Sequence, residues 1–73
     1  MEREYIIKFD GLMDHLEGRI TIIQIGEKYN AEINLVMIES GKIYKHIKNI
    51  YGHSSEEELV RISTQTLQRS FSV

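Results

Sequence analysis

Apolar and polar positions alternate over Glu4–Asp10, where Tyr5, Ile7 and Phe9 are interleaved with Glu4, Ile6 and Lys8. That period of two predicts a half-buried strand, and Gly11 breaks it. Leu12, Met13 and Leu16 then fall three and four apart, which predicts a single helical turn ahead of Gly18. Arg19–Ile25 carries isoleucine on both of its faces, the mark of a central strand covered on two sides. Gly26-Glu27-Lys28-Tyr29-Asn30 reads as a loop. A third strand is expected over Ala31–Ile38, with Ile33, Leu35 and Met37 on one face and Val36 and Ile38 on the other.

Ser40-Gly41 reads as a two-residue hairpin turn. It would set Met37 opposite Tyr44, Leu35 opposite His46 and Ile38 opposite Ile43. Segment 42–51 fits two patterns. As a strand it follows the hairpin turn and has the right Ile and Tyr content. As a helix it gathers Ile43, Tyr44, Ile47, Ile50 and Tyr51 on one stripe, with Gly52 as its stop. The strand is preferred. Beyond it, Ser55 and Glu58 have the spacing of a capping box, and three glutamates in the first turn suit the positive end of a helix dipole. Leu59, Ile62, Thr66, Leu67 and Phe71 would line the buried face of this helix. Val60, Thr64 and Thr66 lower its intrinsic propensity, so packing against the sheet must hold it in place.

The elements predict an α+β fold: a small antiparallel β-meander of three or four strands with a C-terminal α-helix packed on one face. At 73 residues and 8.6 kDa the chain is expected to form a single domain. A core of this size alone stabilises by only about 3–5 kcal/mol, so a partner or a staple is expected. The helix covers one face of the sheet, and Ile6, Ile23 and Ile25 on the other call for cover. Self-association supplies it most simply. Cysteine is absent, which excludes disulfides, thiolate zinc sites and cysteine nucleophiles. No apolar run approaches the roughly 18–20 residues of a membrane span. A cytoplasmic protein is expected, and no membrane contact.

The net charge is −2, unevenly spread. Residues 1–40 carry −4, residues 41–52 carry +3 from Lys42, Lys45 and Lys48, and residues 53–73 carry −1. In the strand reading Lys42, Tyr44, His46 and Lys48 point to one side. A basic stripe with an aromatic in it can contact phosphates and stack bases. Lysine also guards exposed sheet edges against pairing. The acidic remainder of the chain favours the edge reading.

Catalytic patterns are lacking. His15, His46 and His53 are far apart and form no HExxH pattern, so no metal site is expected. No serine sits in a strand–turn–helix elbow. Asp10, Asp14 and Glu17 bracket one loop and read as solvated. The glycines at 11, 18, 26, 41 and 52 stand singly and each reads as a turn position, so no phosphate cradle forms. No enzyme activity and no cofactor are expected.

Three local resemblances to known families stand in the sequence. Gly52-His53-Ser54-Ser55-Glu56-Glu57-Glu58-Leu59 resembles the strand-to-helix step of small β-β-β-α antitoxins of the HicB type. That resemblance implies toxin binding. Ile7-Lys8-Phe9-Asp10-Gly11, Gly18-Arg19-Ile20 and Ile43-Tyr44-Lys45-His46 are similar, in order, to pieces of Sm-like RNA-binding barrels. Ile62-Ser63-Thr64-Gln65-Thr66-Leu67-Gln68-Arg69-Ser70-Phe71 resembles the recognition helix of AraC-type helix-turn-helix regulators, although Leu59-Val60-Arg61-Ile62 stands where that family has its turn. The leading expectation is a non-catalytic protein-binding module, a small regulator or inhibitor acting through a sheet face or edge as a homodimer or with a protein partner. The alternative is an RNA- or DNA-binding module. Either would use Lys42, Tyr44, Lys45, His46 and Lys48.

Overall fold

The computed structural model describes residues 1–70. Four strands, β1 (Glu2–Ile7), β2 (Leu16–Ile25), β3 (Lys28–Met37) and β4 (Ile43–His53), precede one helix, α1 (Glu56–Arg69). The strands form an antiparallel meander in the order β1-β2-β3-β4, with α1 across one face. The α+β fold expected from the alternating pattern is the observed one, with four strands. The sheet is open, with β1 and β4 at its edges, and does not close into an Sm-like barrel. It has one strand more than the β-β-β-α arrangement, and α1 runs unbroken where a helix-turn-helix would turn.

Alternation sorts each strand into two faces. Ile20, Ile22, Ala31, Ile33 and Leu35 pack beneath Leu59 and Leu67 of α1 to form the core. Tyr5, Ile7, Ile47 and Ile50 close its sides. On the other face one row across the sheet reads Ile6, Arg19, Asn34, His46, and the next Glu4, Thr21, Glu32, Asn49. The expected apolar second face therefore has a polar centre. Its exposed isoleucines, Ile6, Ile23 and Ile25, stand at the margins.

Several local expectations need correction. No helical turn forms over Leu12–Leu16. Two tight turns, closed by Leu12 N–H to Phe9 O and Leu16 N–H to Met13 O, lead into β2, because Leu16 is already fully buried as its first residue. Gly18 is not in a turn but inside β2. A Cβ there would overlap Leu67 Cδ2 and approach Ile7 O at 3.2 Å, so α1 rests directly on its backbone. β3 starts at Lys28, which shortens the preceding loop to Gly26-Glu27. The β3–β4 connection is longer than the expected two-residue turn. Met37 N–H donates to Lys42 O at 2.9 Å and Gly41 N–H to Met37 O at 2.8 Å within the connection over 38–42. The register moves accordingly: Val36 faces Ile43, Leu35 faces Lys45 and Asn34 faces His46.

Segment 42–51 is strand, not helix. It is an irregular strand, with register shifts between Tyr29 and Ala31, Ile33 and Asn34, and Leu35 and Val36. Each inserts one extra residue into β4. Gly52, at φ 70°, takes the left-handed conformation that such a bulge needs, and its N–H donates to Asn30 Oδ1 at 2.8 Å. In α1 the buried stripe is Leu59, Ser63 and Leu67: Leu59 and Leu67 lie on it as expected, and Ser63 takes the place of Ile62 and Thr66. Ile62 and Thr66 are half-buried, and Phe71 lies outside the described residues.

Candidate functional site

β4 is the longest strand and an edge strand, and Lys42, Tyr44, Lys45, His46 and Lys48 are all exposed along it or just before it. The bulges split the expected one-sided stripe. Lys45 and Lys48 stand opposite Leu35 and Ile33, whose side chains enter the core, whereas His46 stands opposite Asn34 on the open face. His46 Nδ1 lies 2.7 Å from Asn34 Oδ1, a hydrogen bond across the two strands. The bond satisfies an amide that is only 5% exposed. None of the three lysines has an ion-pair partner among the described residues. The segment therefore presents uncompensated positive charge.

Lys42 also borders an open depression of about 320 Å³ with His15, Met37, Glu39 and Ser40. Ile38 N–H donates to His15 O at 3.0 Å, which fastens the β1–β2 loop to the β3–β4 loop there. His53 is elsewhere, accepting Ser55 N–H on Nδ1 at 3.2 Å. The three histidines do not converge. No group of three or more His, Asp or Glu side chains able to hold a metal occurs among the described residues.

A second polar cluster joins β1 to the start of α1. Arg3 Nε donates to Glu56 Oε2 at 2.6 Å, Arg3 Nη2 pairs with Glu56 Oε1, and Tyr5 OH donates to Glu56 Oε2 at 2.7 Å. The Arg3 fork and then the Tyr5 hydroxyl hold the Glu56 carboxyl below the usual carboxylate range. Glu56 in turn raises the Tyr5 phenol, because the neutral O–H is the form that donates to it. The cluster lines a second depression of about 520 Å³ with Glu57 and Val60. All the ionised groups of the cluster are paired with one another except Glu57, so it works as a tie between two elements.

From the sequence alone Glu56 belongs to the helix dipole, and Arg3 and Tyr5 have no polar role. Their spacing of two on β1, which puts both on one face, was the only available signal. The pairing spans more than fifty residues and exists only once α1 lies across the sheet. No described helix is long and apolar enough to cross a membrane. Comparison of the chain with protein-family models, curated proteins and solved structures gave no match.

Proposed function

We propose that this chain is a non-catalytic protein-binding module, a small homodimeric regulator or inhibitor, that holds an acidic partner surface against β4. The observation that supports it is the uncompensated charge of Lys42, Lys45 and Lys48 along an exposed edge strand. β4 contains no acidic residue, whereas residues 1–40 carry −4. Bulges and lysines together discourage strand addition. Contact at β4 therefore runs through side chains. Opposed charge at such a rim mainly sets association rate and partner choice.

The test is affinity capture with the wild type and with Lys42, Lys45 and Lys48 all changed to Gln. The wild type is expected to hold a stoichiometric protein partner that the triple variant loses. Melting should barely move, since exposed substitutions stay within about ±0.5 kcal/mol. Equal capture by both proteins would remove β4 from the interface.

A nucleic-acid partner is the second reading, favoured by Tyr44 and Tyr51, which are 53% and 71% exposed on the same basic strand. Stacking on them would be worth ~1–3 kcal/mol per base. Short single-stranded oligonucleotides are expected not to bind the wild type at ~150 mM salt, where surface charges are strongly screened. A micromolar complex that vanishes in the triple variant would reverse the order of the two readings.

A further inference from the structure

The two edges of the sheet are built differently. β4 carries three register shifts and bears the lysines, so it resists pairing with another strand. β1 pairs with β2 without a single shift, from Glu2 opposite Ile23 to Ile7 opposite Gly18. Its outer side is a regular edge, free of bulges and of lysine. Gln24 N–H donates to Met1 O at 2.9 Å, so the odd residues of β1 turn their backbone groups towards β2. Glu2, Glu4 and Ile6 turn theirs outward. Ile6 is also 50% exposed.

We infer that a second copy of this chain docks on this edge, β1 against β1 and antiparallel, giving a continuous eight-stranded sheet. The inference rests on the homodimeric part of the proposed function and names its interface. Charge selects the register. A two-fold pairing centred on Arg3 sets Glu2 against Glu4, one centred on Glu4 sets that residue against itself, and one centred on Ile6 pairs only residues 5–7, because β1 ends at Ile7. Centring on Tyr5 sets Arg3 against Ile7 and Glu4 against Ile6 within the strands, with no like charges opposed, and brings Glu2 alongside Lys8, the residue just past the end of β1. The outward backbone groups of Glu4 and Ile6 then find partners. The two Ile6 side chains become diagonal neighbours, within reach of each other. Ile7 of the second copy then stands opposite Arg3, at the rim of the 520 Å³ depression that Arg3 and Tyr5 line. The assembled sheet ends on two β4 strands, so both of its free edges are guarded.

Sedimentation of the full chain at micromolar concentration tests this. The wild type is expected near twice 8.6 kDa. Glu2→Lys or Lys8→Glu alone turns two symmetric attractions into repulsions and should weaken the dimer about tenfold, and the two substitutions together should restore it. Amide exchange adds a readout at single residues: the Glu4 and Ile6 amides should be protected in the dimer and exchange freely on dilution. A wild-type dimer indifferent to both swaps, with those amides unprotected, would overturn the β1 interface and leave the homodimer standing. A monomer at all concentrations would overturn both.

Discussion

Gly18 and Ser63 show how tightly the helix meets the sheet. Gly18 has no side chain because Leu67 occupies that space, and the close approach lets α1 lie flat on β2. Gly18→Ala is expected to cost ~1–3 kcal/mol, the usual penalty for overpacking, measured by chemical or thermal unfolding. An unchanged stability would mean that the helix can lift without loss. Ser63 is fully buried between Leu59 and Leu67, and its Oγ has no hydrogen-bond partner. Ser63→Ala removes an unsatisfied hydroxyl and substitutes a better helix former. It should therefore stabilise by about 1 kcal/mol. A loss of stability there would show that the hydroxyl has a partner in solution.

Among the elements, α1 depends most on its first turn. Ser55 is the N-cap, its Oγ accepting Glu58 N–H at 3.2 Å. The capping box is only half made, because the Glu58 carboxylate pairs with Arg61 and Ser55 N–H goes to His53. Ser55→Ala should cost ~1 kcal/mol, a melting-temperature loss of about 4–8 °C in a domain of this size. Glu56, one residue on, ties the helix to β1. Its carboxyl is held below its ordinary value by Arg3 and Tyr5, so the tie contributes fully above the unfolded value of about 4.3. That contribution is lost as pH falls through the lower folded value. Glu58, held down by Arg61, adds in the same direction. Melting temperature should thus be flat near neutrality and fall below about pH 4.3, and Glu56→Gln should flatten part of that acid limb. An identical acid limb in the variant would assign the loss to other carboxylates.

For the whole molecule, the sheet order divides the chain into a protected centre and two exposed edges. β2 and β3 are paired on both sides and carry most of the core, whereas β1 and β4 are paired on one. Amide exchange should therefore be slowest in β2 and β3, from Ile20 and Ile22 to Ile33 and Leu35. Faster exchange there than in β4 would contradict the sheet order. Charge follows the same plan. The basic segment lies at one edge, and Glu2 and Glu4 lie on the strand at the other. An acidic partner at β4 and a second copy at β1 would then occupy opposite sides of the sheet without competing.

Local pattern carried much of this architecture. Alternation in β1, the isoleucine-rich runs of β2 and β3, the Ser55 cap and the amphipathic α1 are written in neighbouring residues, because strand and helix periods depend on short-range geometry, whereas 42–51 fitted both strand and helix. The five exposed residues of the basic segment were also legible, since a run of charge is a local property. What neighbouring residues do not contain is register. The bulges that turn His46 to the open face and the longer β3–β4 loop arise from fitting β4 against β3 and the core together. Gly18 read as a turn because only the arrival of Leu67, forty-nine residues later, explains its missing side chain. The Arg3–Tyr5–Glu56 tie likewise joins the first strand to the start of the helix. Long-range packing alone decides these features, because their partners become neighbours only when the helix closes over the sheet.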